Sequence, residues 1–243
     1  MGGLAVPSRP TLSALYIVKN EEEFLPFSLR SVQDVADEII IVDNQSTDGT
    51  VEIARRFPGV KIIFADIQDN YSALRNLGLQ QARGEWLMPM MDADCIFYND
   101  IKQVVPRLIQ SSLADAYLFW YYHLLGGYFQ VQNKSDHDPT YQRIMLARNR
   151  PGMHWVGAVH EHLEGIGPHV LDSGLHYVHY GYVKPQRHIW ERWVKYARLE
   201  GRPGVFDHLD PDHILDGCPV RPFDREHPEV IRDYVWHKTG RYR

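Results

Sequence analysis

Asp92-Ala93-Asp94 places two carboxylates two residues apart, directly after the apolar run WLMPMM. Two hard oxygen donors at that spacing can hold Mg²⁺ or Mn²⁺, and such an ion can bridge a diphosphate. A solvated turn would accommodate the same tripeptide. A bound cation would explain how like charges tolerate crowding, because it neutralises them and inverts the local electrostatics. Asn20-Glu21 and Asp43-Asn44 also follow apolar runs, and Arg75 lies in the segment NYSALRNLG, where its guanidinium suits a phosphate oxygen or a neighbouring carboxylate. For Arg75 the alternative is a surface ion pair. Histidine is the other chemical resource, and all 13 histidines fall in residues 123–243. A zinc hydrolase built on His154, His160, His162, His176 and His179 is disfavoured by spacing, since His160-Glu161 is followed by His162 and no H-E-x-x-H forms.

The elements that must carry these groups alternate in type. Continuous apolar runs at Leu12–Val18, Glu38–Val42, Val60–Phe64 and Glu85–Met91 predict strands, and the segments Phe24–Val35, Thr50–Phe57 and Ser72–Arg83 predict helices between them. Strands that are apolar on both faces and separated by helices imply a mostly parallel sheet covered on both sides, an α/β fold. In such a sheet ligands bind beyond the carboxyl ends of the strands. Asn20-Glu21, Asp43-Asn44 and Asp92/Asp94 occupy three of those ends. Past residue 100 the alternation loosens. A helix at Ile101–Gln110, strands at Ala116–Leu125, Tyr141–Ala147, Trp155–Val159 and His176–Tyr182, a polar connection over residues 126–138 and a helix at Gln186–Gly201 are expected, with an irregular wrapping segment over 201–243.

Four ordered motifs, IVKNEEEFL, IVDNQSTDGT, NYSALRNLG and GEWLMPMMDADC, resemble the N-terminal half of the family 2 inverting glycosyltransferases, which have the GT-A fold, a Rossmann-like sheet. Trp155-Val156-Gly157-Ala158-Val159-His160-Glu161 is similar to a W-x-G-x-x-H-E element of a subset of that family, and His179-Tyr180-Gly181-Tyr182 to its H-x-G-Y element. The resemblance covers residues 12–200. It implies that Asn20, Glu21, Asp43 and Asn44 hold the nucleotide of a nucleoside-diphosphate sugar, UDP-linked by preference. This chain has Asn44 where the family often has a second Asp, so the choice between Asp43 and Asn44 for the base stays open. Asp94 then ligates the metal directly, and Asp92 meets ribose or metal-bound water. His179 becomes a further ligand, with His176 in reserve, and an imidazole suits Mn²⁺ better than Mg²⁺. Inverting transfer needs a base for the acceptor hydroxyl, and Glu161 is assigned that role, with Asp136 and Asp138 as competitors. The metal, Arg75 and helix-end amides stabilise the departing diphosphate.

Composition bounds these readings. With 243 residues, 44% of them hydrophobic, the chain can bury a sizeable core. Residues 1–122 hold 10 Lys and Arg against 16 Asp and Glu, while 123–243 hold 16 against 15. The chain is therefore divided into a flexible arm at 1–10, one domain at 11–200 and the segment at 201–243. Within the domain, donor binding falls in residues 11–100 and acceptor chemistry in 101–200. Two cysteines and no apolar stretch approaching about 18 residues point to a cytoplasmic protein without a transmembrane segment, compatible with peripheral contact with a membrane. A sugar-nucleotide pyrophosphorylase would need a glycine-rich loop after the first strand, and residues 19–23 contain no glycine. A nucleotide-sugar binder without catalysis remains the main alternative. The acceptor is left open among saccharide, lipid-linked, protein and modified nucleic-acid chemistries, and the tyrosines and tryptophans at 117, 120–122, 155, 177, 180 and 182 are divided between core and ligand platform. Lys184, Arg187, Arg192, Lys195, Arg198 and Arg202 read as a solvated basic helix face or a contact for a phosphorylated acceptor.

Overall fold

The computed structural model describes residues 11–133 and 140–242. The arm at 1–10 and the candidate bases Asp136 and Asp138 lie outside the described residues. The chain runs β1 (Leu12–Val18), α1 (Leu25–Val32), β2 (Glu38–Asp43), α2 (Thr50–Arg55), β3 (Val60–Phe64), α3 (Tyr71–Gln81), β4 (Trp86–Met91), β5 (Cys95–Phe97) and α4 (Ile101–Leu108). It continues through β6 (Ala116–Leu125), β7 (Gln130–Gln132), β8 (Thr140–Arg148), β9 (His154–Val156), β10 (His162–Glu164), β11 (Val170–Tyr182), α5 (Gln186–Leu199), β12 (Val220–Pro222) and α6 (Glu229–Thr239).

Strands β3, β2, β1 and β4 are parallel neighbours in that order. Period-two alternation explains why they read as unbroken apolar runs. Leu12, Ala14, Tyr16 and Val18 of β1 pack with Leu25, Leu29 and Val32 of α1, whereas Leu15 turns to the opposite layer with Ile40, Leu87 and Leu79 of α3. Beyond β4 the sheet becomes mixed: β8 is antiparallel to both β4 and β6, and β11 is parallel to β6. Strand β11 also pairs antiparallel with β5, bringing His179 opposite Cys95.

Three expectations need correction. Of the expected polar connection, the described part, residues 126–133, is not wholly a connection, because β7 pairs with β6 and β12 there and buries Val131. The expected strand at 155–159 ends at Val156 and belongs to a separate two-stranded β9–β10 sheet, because Gly157, at φ 98°, turns the chain out of extended geometry. The segment 201–243 is not irregular throughout. Its α6 buries Ile231 and Val235, and Tyr234 packs 5.0 Å from Phe27 of α1. Five prolines (Pro203, Pro211, Pro219, Pro222 and Pro228), with charged runs between them, weaken the periodicity, yet Pro228 only fixes the helix entry.

Candidate functional site

The turn after β4 puts Asp92, Asp94 and Cys95 beside His179 of β11, with one ligand-type atom from each within 4.8 Å of the others. It is the one such group among the described residues. Asp94 is 5% exposed and His179 8%. His179 Nε2 lies 3.2 Å from Asp94 Oδ1, but that buried oxygen has no hydrogen-bond partner. Burial alone would raise the Asp94 carboxyl; the ring of His179, with Lys184 and Arg192, outweighs it and holds the group well below the usual carboxylate range. Burial pushes the Cys95 thiol well up, aided by Asp92 and Asp94, so this sulfur is a protonated core atom and not a thiolate.

Gly181 keeps the cluster open. A Cβ there would stand 2.8 Å from Asp94 Oδ2 and 2.9 Å from His179 Nε2. A buried carboxylate with an oxygen that receives no hydrogen bond, an adjacent imidazole nitrogen and a glycine clearing the space beside both fit a divalent cation held by Asp94, His179 and Asp92. The O,O,N donor set suits Mn²⁺. His123 of β6 completes the arrangement: its Nδ1 is 2.8 Å from His179 Nδ1 and the rings stack at 4.6 Å. Burial, His179 and Arg143 push the His123 imidazole down to about 2, so it is neutral.

Asp92 faces the second part of the site. Its Oδ1 accepts from Arg75 Nη2 at 2.8 Å, while Arg75 Nε donates to Glu161 Oε1 at 2.6 Å. Arg143 approaches Asp92 Oδ2 at 3.4 Å. Arg75 is 6% exposed and lies over the Trp155 ring, 5.1 Å from its centroid. Local sequence explains how α3 holds these groups. Asn70 caps the helix by accepting from the Ala73 N–H, the Tyr71 N–H donates to the Ala158 carbonyl, and Ser72 Oγ donates to the Gly157 carbonyl. Asn76 closes a two-bond clamp with the backbone of Trp155. The motifs NYSALRNLG and WVGAVHE thus form one unit, with Arg75 and Glu161 at its centre.

The nucleotide candidates separate by their bonding. Asn44 is occupied at both ends by the Ile67 backbone, at 2.8 and 3.0 Å. Asn20 Oδ1 accepts the Thr47 N–H at 2.8 Å and pins the loop after β2. Asp43, 2% exposed, accepts the Ser46 N–H through Oδ2 and leaves Oδ1 without a partner. Glu21 grips Lys184 through both oxygens at 2.8 Å. Burial, with Asp94 nearby, raises the Glu21 carboxyl to about 7 despite Lys184.

The other histidines disperse. His154 and His162 pair with Glu164, His160 with Glu200, and His176 stacks between Trp120 and Tyr122. That scatter removes the geometric basis for a zinc hydrolase. Of the aromatic set, Tyr117, Tyr121, Tyr122, Trp155, Tyr177 and Tyr180 are buried. The basic stretch is internally engaged: Arg187 with Asp212, Lys195 and Arg198 with Asp69, and Arg202 with Glu200. Sequence reasoning missed His123 and Arg143. Neither sits in a recognisable motif, and only the pairing of β6 with β8 and β11 brings them to the site. No helix among the described residues is long and apolar enough to cross a membrane.

The sequence model of the family described as Glycosyl transferase family 2 matches residues 13–159. The SPbeta prophage-derived glycosyltransferase SunS of Bacillus subtilis is 32% identical over 109 residues, 44% of this chain and 26% of that protein. A Rickettsia typhi protein named uncharacterized glycosyltransferase RT0209 is 31% identical over 135 residues, 56% of this chain and 45% of that one. The crystal structure of S. aureus TarS aligns with a TM-score of 0.51 at 16% identity over 85% of this chain and 45% of that chain, a likeness of fold. The matched region spans less than half the length of these curated relatives.

Proposed function

Since the chain belongs to glycosyl transferase family 2, we propose that it is a metal-dependent inverting glycosyltransferase that moves a sugar from a nucleoside-diphosphate donor, UDP-linked by preference, to an acceptor hydroxyl. The observation that carries this reading is the pairing of a buried Asp94 carboxylate with His179 Nε2 at 3.2 Å, without a hydrogen bond to that oxygen, beside the space that Gly181 leaves next to both side chains. Asp94, His179 and Asp92 would hold Mn²⁺ or Mg²⁺. A bound cation there would supply Lewis-acid neutralisation of the leaving diphosphate.

The chain's own groups divide the remaining work. Asp43 Oδ1, buried without a partner, is the acceptor for a nucleobase N–H, while Asn44 and Asn20 shape the loops around it. Lys184, held by Glu21 and close enough to Asp94 to lower its carboxyl, supplies positive charge for the donor's phosphates. Glu161 Oε2, the oxygen that Arg75 does not use, takes the acceptor proton. In that step the acceptor oxygen bonds to the anomeric carbon, the carbon–oxygen bond to the diphosphate breaks, and its electron pair departs with the nucleotide. Arg75 orients Asp92 and Glu161 together, linking donor and acceptor sides through one rigid side chain.

Thermal denaturation with UDP, GDP, dTDP or CMP in the presence of Mn²⁺ or Mg²⁺ tests the donor assignment, since a ligand that binds only the native state raises the melting temperature. A rise with UDP that requires the metal is expected. No rise with any diphosphate overturns the proposal.

A further inference from the structure

The two histidines at the site are not equivalent, and their contact dictates how each must carry its proton. His123 Nδ1 and His179 Nδ1 are 2.8 Å apart, so one donates and the other accepts. His179 turns its remaining nitrogen, Nε2, toward Asp94 Oδ1 at 3.2 Å. A nitrogen that ligates a cation must present a lone pair. His179 therefore has to keep its proton on Nδ1, and His123 has to accept it with an unprotonated Nδ1.

We infer that His123 is a positioning residue for the metal site: by accepting the His179 Nδ1–H, it fixes the tautomer and ring orientation that aim His179 Nε2 at the cation. This rests on the metal reading of the Asp92, Asp94 and His179 cluster. The surroundings of His123 support a fixed ring. It is packed against Tyr182 at 4.6 Å, Tyr141 at 6.0 Å and Tyr121 at 6.1 Å, and its strand neighbour across the β6–β11 ladder is His179 itself. Parallel pairing at that register puts the two side chains on the same face, so the contact follows from the sheet and not from a flexible loop. Outer partners of ligating imidazoles commonly fix ring orientation and raise basicity, and their loss costs about 10–100-fold in metal affinity.

Two measurements on the purified chain test this without relying on turnover. Mn²⁺ affinity is read from the free-ion electron paramagnetic resonance signal, with secondary structure and melting temperature confirming that each variant folds. His123→Phe keeps a ring and removes the acceptor, and it should raise the Mn²⁺ Kd by about 10–100-fold. His123→Asn places an amide oxygen where an acceptor is needed and should recover most of that loss. Nitrogen-15 spectra of histidine-labelled protein loaded with diamagnetic Mg²⁺ should show His179 protonated at Nδ1 and His123 at Nε2. Wild-type affinity in folded His123→Phe, or a proton on His123 Nδ1, overturns the inference. If His179→Ala also binds Mn²⁺ like wild type, the metal reading itself fails. Loss in His179→Ala with no loss in His123→Phe leaves that reading standing and rejects only the role of His123. A His123→Phe variant that does not fold transfers the decision to His123→Asn and the spectra.

Discussion

His179 and Tyr180 are consecutive on β11 and face opposite sides of the sheet. His179 meets Asp94 and His123 in the polar cluster after β4. Tyr180 reaches the other way, where its hydroxyl lies 2.8 Å from His227 Nδ1, at the entry to α6. His227 is fully buried among Phe223, Phe129 and Tyr128. Two buried histidines thus serve opposite ends. His179 shares its surroundings with carboxylates and an unsatisfied oxygen, a geometry that leaves room for a cation, whereas His227 is walled in by rings and fastens the C-terminal segment to the sheet. Burial of a histidine is not a functional signal; the partners of its second nitrogen and the charge around it are.

The largest expected effect on the polar side follows from Glu161→Gln. Removing the proton acceptor should lower kcat by about 10²–10⁴-fold, with donor-induced stabilisation retained because the donor contacts lie elsewhere. Full turnover in this variant would remove Glu161 from the chemistry and direct attention to Asp136 and Asp138.

On the aromatic side the expected signature is pH dependence of stability. Burial pushes the His227 imidazole from its ordinary value of 6.5 down to about 4, against a weaker opposing hydrogen bond. The unfolded chain therefore binds a proton that the folded chain refuses between those values. His227 contributes fully above pH 6.5, and its contribution is lost as pH falls from there through 4, a change of about 3 kcal/mol. Chemical denaturation at pH 7 and pH 4.5 in wild type and His227→Phe should show a shallower pH slope in the variant. Equal slopes would mean that His227 is hydrated or charged in the folded state.

A smaller effect sharpens the contrast from the strand between them. Gly181→Ala would drive a methyl group against Asp94 Oδ2 and the His179 ring, costing about 1–3 kcal/mol by overpacking. Mn²⁺ affinity should fall with it, measured by titration calorimetry, while the pH slope assigned to His227 stays unchanged. A loss of stability with unaltered Mn²⁺ binding would place the cation outside this space.

Legibility followed local pattern. The strands β1 to β4 were readable because each buries both faces and so appears as an apolar run, and the polar residues ending them mark the sheet's carboxyl edge. Asp92, Asp94, Arg75 and Glu161 were visible as motifs. What each of them touches was not, because the Arg75 to Glu161 bond depends on α3 gripping the β9 turn through Ser72 and Asn76. Helix α6 was missed since the prolines around it obscured a short amphipathic period, and Pro228 proved to be an entry residue.

The amino-acid sequence by itself determined the alternating α/β layering, the acidic strand ends and membership of the family, because these reside in periodicity and in motifs of adjacent residues. Tertiary structure alone decided which histidines meet the carboxylates. Residues 94, 123 and 179 are brought together by strand order and register, and register is a property of the whole sheet that no short segment encodes.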